Sequence, residues 1–273
     1  MKDRPANHEI VRTRSGAAAI RSIDAGEVMH PGVGPIVEAE LLYVRQSRLA
    51  ERLLEAPELV LFDVGLGAGS NAFAARAVSG RAPASAGRLR LVSFERDLGA
   101  LALALESPDA FGIDAEASSA ARALLEHGRH ETARTSWQLE HGDICAALER
   151  ITARAHIVYW DPFSPRANPT LWSVGSFTAM RRAVGPRCTL FTYSASTATR
   201  IALLLAGWAV GVGDAIGDKA QTTAAAVDAA DLARPLDRTW LARLHRPDVP
   251  LPPDAPADAV ARAAASRQFL EAP

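Results

Sequence analysis

Residues 59–70 read Leu-Val-Leu-Phe-Asp-Val-Gly-Leu-Gly-Ala-Gly-Ser. An apolar run suited to a buried strand reaches an acid, Asp63, and then three glycines at alternate positions, Gly65, Gly67 and Gly69. Glycines let the backbone turn sharply and approach a ligand, and a helix opening behind them aims its first N–H groups and its dipole at the same point. This is the strand–turn–helix unit that opens a nucleotide-binding α/β sheet. The dinucleotide pattern G-x-G-x-x-G would place its third glycine at position 70, which is Ser70. The spacing present, G-x-G-x-G with an acid two residues ahead, suits S-adenosylmethionine, which has no pyrophosphate to cradle. A tight turn without a ligand, and a nicotinamide or flavin site, are the alternatives.

Short apolar or β-branched runs follow: "RLRLVSFERD", "SWQLEHGD", "AHIVYWDP" and "RCTLFTYS", then "GWAVGVGDA" and "KAQTTAAAV". Alanine-rich helical stretches separate the first six of the seven runs, so crossover units and a parallel sheet are expected. A turn near Gly217 makes the last two an antiparallel hairpin at one edge. The fold class is therefore α/β and Rossmann-like: a mostly parallel seven-stranded sheet with helices on both faces. Upstream, "EIVRTRSGAAAIRSI" alternates about Ser15-Gly16 as a small β-hairpin would. In "PIVEAELLYVRQSRLAERLLEA", Leu41, Leu42, Leu49, Leu53 and Leu54 recur at spacings that predict one amphipathic helix. The expected division is a hairpin and helix over 1–57, the main domain over 58–236, and a proline-rich linker with a C-terminal tail over 237–273.

Each of the first four runs ends in or beside an acid. After Asp63 come Glu95, placed to accept both hydroxyls of a ribose, and Asp143, placed to accept from an adenine amino group. Surface pairing with Arg96 is the other reading for Glu95, and an N-cap for the helix from Ile144 is the other reading for Asp143. Asp161 closes the fourth run, and Pro162 and Pro165 fix a loop on which Phe163 offers an aromatic face. Ligands bind at carboxyl ends of strands in such sheets, which makes Asp161 a catalytic candidate, with a loop cap as its other reading.

Composition narrows the classes. The formal net charge of −1 gives no general basic field to draw in nucleic acid, so any such contact needs a local arginine patch. No apolar run approaches the ~20 residues of a membrane span, and the N-terminal stretch lacks the apolar core of a signal peptide; a cytoplasmic protein without membrane partners is expected. Cys145 and Cys188 share no close spacing, which argues for buried thiols over a disulfide or a metal site.

Taken in order, "DVGLGAG", "FERD", "HGD" and "DPFSPRANPTLW" resemble the class I S-adenosylmethionine-dependent methyltransferases, and more narrowly the methyltransferase domain of the MnmC family. That family's D-x-F-[AS]-P-x-x-N-P-x-[LM]-W signature is filled by Asp161, Phe163, Ser164, Pro165, Asn168, Pro169, Leu171 and Trp172. The resemblance implies transfer of a methyl group from S-adenosylmethionine to the aminomethyl nitrogen at carbon 5 of a tRNA wobble uridine, by a stand-alone form without the oxidase domain. It also implies a substrate-side helix carrying Glu38 and Tyr43, and a basic hairpin at "GDKAQTT" carrying Lys219. On this reading Asp161 orients the amine and Phe163 and Tyr43 stack on the uracil. Asp63, Gly65, Gly67, Gly69, Glu95 and Asp143 hold the cofactor. Arg45, Arg48, Arg52, Arg166 and Lys219 are the candidates for a local RNA-binding patch, with a solvated face as the other reading of each, and the family's polar helix segment is replaced around Arg45, Gln46 and Ser47. Other outcomes are a small-molecule methyltransferase or aminopropyltransferase, or a non-catalytic binding module. No metal is implied.

Overall fold

The computed structural model describes residues 7–30, 34–215 and 220–270. A small antiparallel sheet comes first, with β1 (His8–Arg12), β2 (Ala18–Ser22) and a third short strand, β3 (Glu27–Val28), that the hairpin pattern did not announce. The main sheet holds β4 (Glu58–Val64), β5 (Arg88–Glu95), β6 (Arg129–Glu131), β7 (Thr135–His141), β8 (Ala155–Trp160), β9 (Val184–Thr192), β10 (Ala209–Gly213) and β11 (Thr222–Ala226). Their order is β10-β11-β9-β8-β4-β5-β7-β6. Strands β9, β8, β4, β5 and β7 run parallel, β11 lies antiparallel between β9 and β10, and β6 is antiparallel on the far edge.

Eight strands stand where seven were expected. The extra one, β6, carries only Arg129, His130 and Glu131, so no apolar pattern marks it. Gly128, in the left-handed region at φ 71°, ends the helix Ala115–His127 and turns the chain back along β7. A polar edge strand is stable because its outer side meets water.

Both faces of the sheet are buried, which explains the near-continuous apolar runs. Along β4, Val60, Phe62 and Val64 join one core with Val158 and Trp160 of β8. Leu59 and Leu61 join the other, with Ile157 and Tyr159. From β4 the chain winds outward through β5 to β7, then returns to the opposite side of β4 as β8. The winding direction reverses between β4 and β8, and their tips lie side by side with Asp63 opposite Tyr159 and Val64 opposite Trp160. A crevice at such a reversal is where open α/β sheets bind ligands.

The segment predicted as one amphipathic helix is broken into three. A short α-turn, Pro35–Glu38, passes into a π-helix, Ala39–Arg45, and an α-helix resumes at Leu49–Glu55 after Arg48, whose φ is 52°. Leu42, Leu49 and Leu53 are buried as expected, but Leu41 and Leu54 are 39% and 56% exposed. The wider π turn changes the angular spacing of side chains, so a 3.6-residue pattern misplaces some of them. Polar contacts fix the irregular part: Ser47 Oγ lies 2.9 Å from Tyr159 Oη, and Gln46 Oε1 accepts from Asp214 N at 2.8 Å.

The C-terminal segment also departs from the expected linker and tail. Trp240 and Leu244 are buried, and the Trp240 and Phe269 rings stack with centroids 6.3 Å apart. Asp254 accepts from Val174 N and Gly175 N at 2.8 and 2.9 Å, capping the helix Val174–Arg182 from a distance in sequence. Gln268 bonds both backbone groups of Val210. The prolines prevent regular structure without preventing packing. Among the described residues, no helix is long and apolar enough to cross a membrane. Cys188 is buried and Cys145 half-buried, both as free thiols.

Candidate active site

At the tip of β4 the three glycines have positive φ, and Gly65 shows why no side chain is tolerated. A Cβ there would lie 2.7 Å from the carbonyl oxygen of Asp161. The loop is thus pressed against the tip of β8, and Gly69 passes it into the helix Ser70–Arg81. Asp63, fully buried, accepts from Ser93 Oγ at 2.8 Å through Oδ2, while its Oδ1 has no partner. Burial pushes this carboxyl up to about 7; Ser93 opposes the shift, and the charges of Asp161 and Glu95 add to it.

Glu95 sits at the tip of β5, where the sequence places it, but its oxygens are engaged by backbone. Oε2 accepts from Gly67 N at 2.9 Å, and Oε1 accepts from Arg96 N and Asp97 N at 2.7 and 3.0 Å. It therefore ties the glycine loop to the β5 turn and does not pair with the Arg96 side chain. Asp143 accepts from Ala146 N at 3.0 Å and caps the helix Ile144–Arg150, the simpler of its two readings.

Asp161 follows β8 directly, its amide donating to Val64 O at 2.9 Å. Its side chain is 7% exposed and sits among groups from four elements. Asn71 Nδ2 donates to Oδ2 at 2.8 Å, from the first turn of the helix behind the glycines. His30 Nε2 lies 3.5 Å from the same oxygen, and His30 Nδ1 lies 3.6 Å from Glu38 Oε1. The buried Tyr43 hydroxyl faces Asp161 without a hydrogen bond of ordinary geometry. Burial raises the Asp161 carboxyl above the usual range; His30, Tyr43 and Asn71 pull it down, and Glu38 pushes it up.

The proline-bearing loop after Asp161 is held from several sides. Glu27 of β3 accepts from Ser164 N at 3.0 Å, from the Ser164 hydroxyl, and from Arg166 Nη2 at 3.2 Å. Tyr193 Oη donates to Pro162 O at 2.9 Å, and Trp172 Nε1 donates to Phe163 O at 2.8 Å. Phe163 is half-buried beside this frame.

Asp63, Gly65, Gly67, Gly69, Asp161 and Glu38 are brought together as the sequence suggests. Tyr43 is a correction: its ring is fully buried and tilted against Tyr159 at 5.1 Å, so it cannot stack on a base, and only its hydroxyl faces the site. Arg52 is another, donating at 2.9 Å to Thr189 Oγ1 and to His156 O as a structural brace. Arg45 and Arg48 are exposed, and Arg166 is exposed but paired with Glu27. Lys219 lies outside the described residues. His30, Asn71, Glu27 and Tyr193 were missed. Asn71 had a signal, since the first turn behind a glycine loop faces the strand tips; for His30, in "EVMHPG", there was none.

These residues fit S-adenosylmethionine on a structural ground. Asp63 Oδ1 and Asn71 Oδ1 are buried polar atoms without partners, and the two residues flank the glycine loop in the chain. Known proteins agree. A family model described as S-adenosyl-L-methionine-dependent methyltransferase matches residues 117–228. The tRNA 5-methylaminomethyl-2-thiouridine biosynthesis bifunctional protein MnmC of Burkholderia multivorans is 30% identical over 194 residues, 67% of this chain and 30% of that one. Its counterpart from Burkholderia mallei is 29% identical over 199 residues. The chain thus spans about 30% of the length of these curated relatives. Among solved structures, MnmC2 from Aquifex aeolicus superposes with a TM-score of 0.75 at 23% identity, covering 98% of this chain and 87% of its own. Spermidine synthase from Thermotoga maritima reaches 0.51 at 11% identity, covering 81% and 69%.

Fold, glycine loop and strand-tip acids define an S-adenosylmethionine-dependent methyltransferase of Rossmann-like architecture. Within that class the chain is most informatively compared with MnmC, whose methyltransferase-bearing relatives it resembles over 67% of its own length.

Proposed function

We propose that the protein methylates the aminomethyl nitrogen on carbon 5 of the wobble uridine in tRNA, forming 5-methylaminomethyluridine. The observation that carries this reading is the buried Asp161 at the β8 tip, against the glycine loop, within reach of Asn71 and His30 and linked through His30 to Glu38. The names of the curated relatives supply the substrate class.

When bound, S-adenosylmethionine supplies a methyl group already activated by its sulfonium. The chain then has two tasks: to align an amine with that methyl, and to tolerate positive charge. Alignment alone is worth ~7–11 kcal/mol in a well-oriented site. Asp161 accepts a hydrogen bond from the amine and fixes its lone pair, with Asn71 holding the carboxylate in place. A cationic cofactor and an amine that becomes cationic would repel each other; Asp161, Glu38 and Asp63 face the same space and offset that repulsion. Phe163 is the aromatic left to contact the base, and Glu27, Tyr193 and Trp172 hold its loop.

The test is a competition with methyl-labelled S-adenosylmethionine between tRNA bearing an aminomethyl wobble uridine and a panel of small amines. Label in tRNA alone is expected. Label in a small amine with none in tRNA would replace this reading with a small-molecule methyltransferase.

A further inference from the structure

Besides Asn71, a titratable side chain that no motif singles out reaches Asp161: His30. Its φ of 51° puts it in the left-handed region, which few non-glycine residues enter, although His does so more often than most. From that turn the imidazole lies between carboxylates of two separate elements, with Nε2 3.5 Å from Asp161 Oδ2 and Nδ1 3.6 Å from Glu38 Oε1. The side chains of His30, Glu38 and Asp161 are 14%, 12% and 7% exposed, so the line is secluded yet opens toward solvent at its outer end. Asp63 on β4 also faces His30, and Tyr43 and Tyr193 face the Asp161 and Glu38 carboxylates on either side.

We infer that His30 is the proton relay of the methyl transfer, receiving through Asp161 the proton that the substrate amine must lose. The inference rests on the amine-methylation reading above. An aliphatic amine is mostly ammonium near neutral pH, and its lone pair is then occupied. Asp161 has little exposure of its own to solvent, so a proton taken there needs a way out, and an imidazole between two carboxylates can take it and pass it outward. An N–H bond of the ammonium breaks, and the proton moves to Asp161 Oδ2 and then to His30 Nε2. The freed lone pair forms the new N–C bond as the carbon–sulfur bond breaks and leaves its electron pair on sulfur. The product departs as a secondary ammonium, and the Nδ1 proton passes by Glu38 to water. One proton is released per turnover and charge is conserved.

Three variants, His30→Gln, Glu38→Gln and Asp161→Asn, test the relay in kinetics and in nuclear magnetic resonance of the ligand-free protein. Replacing His30 by Gln should lower kcat ~10²-fold near neutral pH, with cofactor affinity held within about twofold. The deficit should shrink to under about tenfold above about pH 10, where a large share of an aliphatic amine is already deprotonated in solution. In the spectra, removing either carboxylate should lower the pH at which His30 titrates. A His30→Gln deficit that is the same at every pH, in an active wild type, would overturn the relay alone and leave His30 a packing residue. A His30 titration unmoved by both carboxylate variants would overturn it as well. Inactivity of the wild type on this tRNA would overturn the substrate reading and the relay with it.

Discussion

At Asp161 and Asp63, two buried acids at adjacent strand tips have different work. Replacing Asp161 by Asn keeps the shape but removes the charge that favours a developing ammonium. Methyl transfer should fall by ~10²-fold or more with little change in cofactor affinity. Steady-state kinetics and calorimetry check this; full activity in Asp161→Asn would reduce the residue to a loop cap. Asp63 makes a pH-dependent prediction. Its carboxyl stands at about 7 in the fold against an ordinary 3.8, so between these values the folded protein keeps a proton that the unfolded chain has lost. Stability must therefore fall as pH rises through that window and level off above it, by a total on the order of 4 kcal/mol. Urea midpoints of the wild type and of Asp63→Asn, compared from about pH 5 to 8, should diverge in that direction. The positively charged amino group of a bound cofactor favours the ionised carboxyl, so binding below about pH 7 should release a proton, measurable by calorimetry in buffers of different ionisation heat. The strand-tip acids were legible because a carboxylate ending an apolar run is conspicuous. The Asp161–His30–Glu38 line was not, since it joins three elements that are close only in the folded chain.

Elements tell a similar story of local legibility. Strands buried on both faces read plainly as apolar runs, and all but one strand of the main sheet was found that way. The polar edge strand β6, the π turn at Ala39–Arg45 and the docked C-terminal segment left no periodic trace, because caps and single side chains set them. The small N-terminal sheet shows the consequence for function. Its β3 residue Glu27 gathers Ser164 and Arg166 of the loop behind Asp161, so Glu27→Gln should loosen that loop. A stability loss of about 1.5–3 kcal/mol is expected, the range for hydrogen bonds to a charged group. A roughly tenfold fall in kcat/KM should accompany it if the loop positions the base. Unchanged kinetics together with the stability loss would confine β3 to a structural role. The broken helix separates two kinds of arginine. If RNA docks there, Arg45→Glu with Arg48→Glu should raise KM for tRNA and flatten its salt dependence, since both side chains are exposed. Arg52→Glu should instead lower the melting temperature, because its guanidinium braces Thr189 and His156. RNA affinity that is indifferent to the Arg45 and Arg48 changes would remove this helix from the interface.

For the whole molecule, the reversal of winding between β4 and β8 connects sequence to chemistry. It sets the glycine loop beside Asp161, where on the proposed reading methyl donor and acceptor meet. The fold and its cofactor follow from that arrangement together with the matched family. Net charge is −1, so the acceptor must be recognised locally rather than drawn in by a general field. The most direct measurement of the central claim is nucleoside mass spectrometry of tRNA from cells lacking this protein, before and after incubation with the purified protein and S-adenosylmethionine. The account predicts that 5-aminomethyluridine species present beforehand gain one methyl group and become 5-methylaminomethyluridine, and that Asp161→Asn protein leaves them largely unconverted. Complete absence of that conversion by the wild type, on tRNA shown to carry the free amine, would contradict it.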